Sequence, residues 1–165
     1  MIYTVGIVSD THGRLPSAVL TAFAGCDYIL HAGDIGAQSV LDELEATAPV
    51  TAVLGNCDWP EHYTNAGEVS EWAHVEVGGV SFFMMHRPED VMAALRGHGL
   101  PPNALATLPQ VCVHGHTHIP RTEQTGASLT LCPGSPTRPR GGSNPSVALL
   151  TINEGTVKGV EFVEL

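Results

Sequence analysis

Five short apolar runs, each ending in residues able to hold a cation, constrain this chain more than any other feature. Val5-Gly6-Ile7-Val8 leads into Asp10-Thr11-His12, Tyr28-Ile29-Leu30 into Gly33-Asp34, and Val53-Leu54 into Gly55-Asn56. Phe82-Phe83-Met84-Met85 leads into His86, and Val111-Cys112-Val113 into Gly115-His116-Thr117-His118. Unbroken apolar runs of this length read as buried strands. In open α/β sheets, sites form at the carboxyl ends of the strands. Five strand ends bearing carboxylate, imidazole or amide groups therefore point to one polar centre.

The punctuation between these runs sets the fold class. A strand is expected over 2–9, a helix over 16–24 with Pro16 in its first turn, and a strand over 27–31. A second helix is expected over 38–47, where Val40, Leu41 and Leu44 recur at helical spacing, and a third strand over 50–54. This β-α-β-α-β order implies parallel strands joined by right-handed crossovers. Residues 58–71 lack periodicity and read as a loop over the site. Strands over 74–77 and 80–85 form a hairpin about Gly78-Gly79, and a helix over 88–96 opens on proline and acidic residues. Short strands follow over 120–124, 128–132, 147–152 and 156–162, with turns at Gly126 and Asn153-Glu154-Gly155. With a βα first half and a mostly antiparallel second half, two sheets packed face to face with helices outside are expected. The 165 residues suit one domain, 1–165, with one core.

Composition excludes several functions. The formal net charge is −10, with seven Lys and Arg residues of which only Lys158 is lysine. Such a surface does not track the phosphates of long nucleic acid. It still admits a small phosphate ester, because bound divalent ions invert the local field. No apolar stretch reaches the length of a membrane span, and Asp10 interrupts any signal-peptide core, so a cytoplasmic protein with no membrane partner is expected. Cys26, Cys57, Cys112 and Cys132 form no C-x-x-C and read as reduced thiols. Homo-oligomerisation is left open.

The candidate ligands have a definite chemistry. Asp10 and His12 lie two apart, as do His116 and His118, so in an extended turn each pair can face one ion. Gly33 lets the backbone turn sharply before Asp34, and Gly115 allows close approach before His116. Asn56 offers a neutral carbonyl oxygen. With His86 the set reaches seven ligands, enough for two ions with solvent positions open. Mixed nitrogen and oxygen donors suit Mn, Fe or Zn better than Mg or Ca. Mn is the expected metal, with Fe, Zn or Ni as alternatives.

Ser9-Asp10-Thr11-His12-Gly13, His31-Ala32-Gly33-Asp34, Gly55-Asn56-Cys57-Asp58 and His114-Gly115-His116-Thr117-His118 together resemble the calcineurin-like metallophosphoesterases. The segment Pro133-Gly134-Ser135-Pro136-Thr137-Arg138-Pro139-Arg140 narrows the resemblance to their small bacterial and archaeal phosphodiesterase branch, over nearly the whole chain. The resemblance implies an α/β fold, a four-layer α/β/β/α sandwich of two mixed sheets. It implies one ion held by Asp10, His12 and His118, another by Asn56, His86 and His116, and Asp34 as the bridge. The implied reaction is phosphodiester hydrolysis of a small substrate, with a metal-bridging water as nucleophile.

Two positions depart from the family pattern. Many members carry a histidine after the metal-binding asparagine, as a general acid or transition-state donor; here Cys57 stands there, and a neutral thiol is a weak hydrogen-bond donor. Arg87 follows His86 where glycine is frequent, which either crowds the backbone near a metal or sets a guanidinium beside the substrate. Cys57, Asp58 and Arg14 are the candidate substrate-site residues. Arg138 and Arg140 read as a solvated loop between prolines. His62, His74 and His98 sit outside every motif and read as structural, and His31 and His114 as residues that support ligands or packing. A phosphomonoesterase, or a protein-binding scaffold like the retromer subunit that resembles this fold, are the competing functions. Completeness of the seven-residue set favours an enzyme.

Overall fold

The computed structural model describes residues 1–64 and 69–165. Among the described residues, ten strands form two five-stranded sheets. The first contains β1 (Ile2–Val8), β2 (Tyr28–His31), β3 (Val50–Ala52), β9 (Ser146–Asn153) and β10 (Thr156–Glu164), in the order β10-β9-β1-β2-β3. The second contains β4 (Trp72–Val77), β5 (Val80–Met85), β6 (Val111–Val113), β7 (Arg121–Thr125) and β8 (Ser128–Cys132), in the order β4-β5-β6-β8-β7.

Each sheet is mixed. β1, β2 and β3 run parallel, and β9 and β10 add antiparallel to β1. In the second sheet β5, β6 and β8 run parallel, flanked by antiparallel β4 and β7. The second half of the chain is thus mostly antiparallel, as expected, with the β5-β6-β8 core as its parallel exception. Helix α3 (Pro88–Leu95) lies between β5 and β6 in the chain, and a crossover of that kind returns the chain in the same direction.

The sheets face each other across a core built from alternate strand positions. Val5, Ile7, Leu30, Phe82, Met84, Val111, Val113 and Leu131 share this cluster and are almost wholly buried. The outer face of the first sheet packs Val8 and Ile29 against α1 (Ser17–Phe23) and α2 (Gln38–Glu45), through Val19, Phe23, Val40, Leu41 and Leu44. The outer face of the second packs Phe83 and Cys112 against Val91 and Ala94 of α3. Both sheets are thus buried on two faces at their centres, which is why the strands read as continuous apolar runs. Layers of helix, sheet, sheet and helix result.

The elements end where local chemistry predicts, with shifts of one or two residues. Pro16 precedes α1 in an extended conformation, just outside the first turn. Pro88 opens α3, with Glu89 and Asp90 in its first turn near the positive end of the helix dipole. Gly78 and Gly79, both at positive φ, close the β4–β5 hairpin. Within the expected loop over 58–71, residues 65–68 lie outside the described residues. The rest holds a 3-10 turn at Pro60–His62 and a parallel bridge from Val53 to Ser70 that ties β3 toward β4.

Candidate metal centre

The topology places the carboxyl ends of β1, β2, β3, β5 and β6 on one edge of the sandwich, and the chain after each delivers a candidate ligand. Asp10 and His12 follow β1, Asp34 follows β2, Asn56 follows β3, His86 follows β5, and His116 and His118 follow β6. The two parallel cores make this possible, since an antiparallel β5–β6 pair would send His86 and His116 to opposite ends.

All seven are gathered into one cluster. Asp10 Oδ1 lies 3.0 Å from His118 Nε2, 3.9 Å from His12 Nε2 and 3.8 Å from His86 Nε2. Asp34 Oδ2 lies 3.7 Å from His12 Nε2 and 3.4 Å from His86 Nε2. Asn56 Oδ1 lies 3.1 Å from His116 Nδ1, and the His86 and His116 rings meet edge to face at 5.2 Å. Asp10, His12 and His118 offer atoms within 4.8 Å of one another, as do Asp10, Asp34 and His86.

Two buried side-chain atoms among the described residues lack a hydrogen-bond partner, Asp10 Oδ1 and His86 Nε2, and both face this centre. Buried polar atoms left unpaired are costly. A carboxylate oxygen and an imidazole nitrogen orphaned side by side fit a cation. Asp10, Asp34, His86 and His118 are at most 5% exposed, His12 and His116 are half-buried, and Asn56 is exposed. The cluster therefore opens to solvent on the Asn56 side, where a cleft of about 380 Å³ is lined by Asn56, Trp59, Glu71, His86, Arg87 and Asp90.

The backbone is bent to make this arrangement. Asp10, His12, Asp34, His116 and His118 all have φ between 50° and 69°. That left-handed region is uncommon outside glycine and costs on the order of 1–3 kcal/mol per residue, tolerated where surroundings enforce it. The enforcement is visible. Asp10 N–H donates to Gly33 O, His12 N–H to Asp34 O, and Gly115 N–H to His86 O. A side chain at Gly115 would collide with Ser9 and Asp10, which is the close approach expected there.

Other groups aim the ligands. Ser9 Oγ donates to Asp10 Oδ2 at 2.6 Å and His116 N–H to the same oxygen at 3.0 Å, leaving Oδ1 for the centre. Cys57 N–H holds Asp34 Oδ1 at 2.8 Å, leaving Oδ2. Nδ1 of His86 bonds Ala32 O and Nδ1 of His118 bonds Arg138 O, which turns each Nε2 inward. Ser135 and Thr137 grip Asp10 O from the loop after β8. These supports were not read from the sequence. Backbone carbonyl acceptors carry no residue signature, although Pro133–Arg140 is the segment that narrowed the resemblance.

Electrostatics follow from burial and neighbours. Burial opposes the charge of Asp34, yet the His86 contact and the Cys57 N–H hold its carboxyl well below the usual range. Burial works against protonated His86, but Asp34 and Asp10 raise its pKa. Burial lowers His12, helped by the nearby Arg138 charge. Burial and the Asp34 carboxylate push the Cys57 thiol up.

The remaining candidates divide. Cys57 is exposed beside Asp34 and His12. Asp58 turns inward instead: its oxygens accept from the N–H groups of Ile35, Gly36 and Gly55 and from the Tyr63 hydroxyl, so it braces the loops after β2 and β3. It also lines the cleft beside Asn56. Arg14 is exposed, its N–H closing a turn on Thr11 O. Arg87 sits at φ −95° and lines the cleft, so a side chain there brings no backbone strain. His31 is wholly buried between Thr11 Oγ1 and Gly33 N–H, and burial lowers it to about 4. His114 bonds Gly115 O and accepts from Arg121. His62, His74 and His98 are exposed.

A sandwich of this topology with strand-end carboxylates and histidines on one edge defines a metallophosphoesterase-type protein. The chain matches the calcineurin-like phosphoesterase superfamily domain over residues 3–155 and belongs to that family. It is 37% identical over 157 residues to a probable metallophosphoesterase of Methanothermobacter thermautotrophicus, covering 90% of this chain and 86% of that protein. It is 32% identical to the phosphodiesterase YfcE of Escherichia coli K12, covering 86% and 84%. Among solved structures, one described as a novel archaeal phosphodiesterase superposes with a TM-score of 0.76 at 25% identity, covering 98% of this chain and 99% of that one. Vps29 of Entamoeba histolytica shares the fold at 23% identity, with a TM-score of 0.71 and coverage of 98% and 99%.

Proposed function

We propose that residues 1–165 act as one metal-dependent phosphodiesterase domain that hydrolyses a small phosphodiester at a dinuclear centre. The observation that carries this reading is the pair of buried, unpartnered atoms, Asp10 Oδ1 and His86 Nε2, inside a cluster of seven ligand-type residues. Asp10, His12 and His118 would hold one ion, and Asn56, His86 and His116 the other. Asp34 would bridge, since its Oδ2 lies within 4 Å of both His12 and His86. Mn is the ion we expect, and the cytoplasm is the compartment that suits the four thiols.

Bound cations would supply charge to the phosphoryl oxygens and a water nucleophilic at neutral pH. The protein's own groups then orient and limit. Ser9, Ala32 O and Arg138 O fix the directions of Asp10, His86 and His118, and the cleft beside Asn56 receives the organic part of the ester. Cys57, beside His12 and Asp34, has a thiol whose pKa is raised, so it would donate a proton to an alkoxide slowly.

The scaffold reading draws on the Vps29 likeness, which concerns the fold alone. The intact ligand cluster favours hydrolysis. The deciding measurement compares turnover of a diester with its matched monoester, with metal content determined on the same preparation. Two ions per chain and preference for the diester are expected. No turnover of either in protein saturated with Mn would end the enzyme reading, and monoester preference would replace it with a phosphomonoesterase.

A further inference from the structure

Cys57 stands beside two residues of the proposed centre without serving there as a ligand itself. Its sulfur, a His12 nitrogen and an Asp34 oxygen all lie within 4.8 Å of one another, a third grouping that shares one residue with each of the two that the phosphoesterase reading employs. His12 Nε2 and Asp34 Oδ2 are already 3.7 Å apart. Tetrahedral bonds of about 2.0–2.3 Å to nitrogen, oxygen and sulfur require donors roughly 3.4–3.7 Å apart. The nitrogen and oxygen meet that spacing as they stand, and the sulfur needs to close by about an ångström at most. Cys57 is exposed, so rotation about its Cα–Cβ bond is available. Its main-chain N–H bonds Asp34 Oδ1 at 2.8 Å, which keeps Oδ2 turned toward His12. Beside this triad lie Asp10, 0% exposed, and His86, 5% exposed, each with an unpartnered atom aimed into the same centre.

Donor softness then discriminates between cations. Mn and Mg favour oxygen and imidazole and gain little from sulfur, whereas Zn and Cd gain much from a thiolate. We infer that His12, Asp34 and Cys57 form a capture site for thiophilic divalent cations, overlapping the catalytic centre through two of its residues. On capture the sulfur–metal bond replaces the S–H bond, the proton leaves to solvent, and no electron is transferred. A cation so held takes His12 and Asp34 out of the catalytic arrangement. The site would therefore bind Zn and Cd in preference to Mn and hold them in an inactive form. This inference rests on the dinuclear reading for its consequence, and on the triad alone for its binding.

The test is Cd titration of metal-stripped protein, followed by the ultraviolet sulfur-to-cadmium charge-transfer band. One thiolate equivalent per chain is expected in the native sequence and in Cys26→Ala. The band should vanish in Cys57→Ala and Cys57→Ser, with Cd affinity falling at least about tenfold while Mn affinity holds. Cd, but not Mn, should also shield Cys57 from alkylation. Absence of the band, or its persistence in Cys57→Ala, overturns the inference and leaves the dinuclear reading standing. Failure of Mn to bind with the Cd band intact overturns the dinuclear reading and leaves the capture site.

Discussion

Asp34 joins more of the centre than any other side chain. One oxygen is fixed by Cys57 N–H, and the other stands within 4 Å of both His12 and His86. Asp34→Ala should therefore lose both ions together and lower phosphodiesterase activity more than about 100-fold, since metal stabilisation of the transition state is worth several kcal/mol. Elemental analysis of folded variant protein checks this, and retention of two ions with near-native turnover would remove Asp34 as bridge. At Cys57 the missing donor makes the rate depend on the leaving group. Nitrophenyl diesters should be cleaved far faster than alkyl diesters, with a steep Brønsted slope. Cys57→His should raise the rates of poor leaving groups by up to roughly 10²–10⁴-fold. A shallow slope in the native protein would point to another proton donor.

Among the elements, the loop after β8 is the one whose contribution was hidden. Ser135 is wholly buried, donates to Asp10 O at 2.8 Å, and accepts from the N–H groups of Thr137 and Arg138. That lattice holds Asp10 at positive φ and positions the Arg138 carbonyl that aims His118. Ser135→Ala should weaken binding of the ion at Asp10, His12 and His118 by about 10–100-fold, the range typical of groups that orient ligands. Calorimetric titration with Mn reads the two sites separately, and equal loss at both would argue for general loosening instead. The β1–α1 contact is tighter still. A methyl at Gly6 would sit 2.8 Å from the buried Phe23 ring, so Gly6→Ala should cost about 1–3 kcal/mol in denaturant unfolding by overpacking, with metal content unchanged.

For the whole molecule, buried histidine links folding to pH. The fold holds His31 neutral, with a pKa lowered to about 4 from an unfolded value of 6.5. Between those values the unfolded chain binds more protons, so stability rises with pH across that window and falls as pH drops through it. The full contribution, present above pH 6.5 and of order 3 kcal/mol by linkage, is lost near pH 4. Unfolding of metal-free protein from pH 7.5 to 4.5 should show this slope, reduced in His31→Gln; an unchanged slope would assign it elsewhere. Net charge acts at the same scale. With −10 overall and no cluster of cations in the sequence, binding to long duplex DNA at physiological salt should be weak or absent, and submicromolar affinity would contradict it.

Strand-length apolar runs ending in Asp, His and Asn made the layers and the ligand candidates legible from residues alone, because buried strands need continuous apolar side chains and ligands need particular atoms. Helix starts at Pro88 and the turn at Gly78-Gly79 were equally readable, since their backbone dihedrals restrict residue choice. The direction of β6 and β8 was not, because pairing depends on where the chain returns after α3, a long-range choice that leaves no local pattern. That choice decides whether His86 and His116 meet. Asp58 shows the same limit at one residue: the motif placed it beside the ligands and it lines the cleft, but only the packed loops bring four donors onto its carboxylate. The sequence determined which atoms are available for chemistry. The tertiary structure decided which of them face one another and which are consumed in holding the rest, because convergence of main-chain donors and acceptors exists only once the strands have paired.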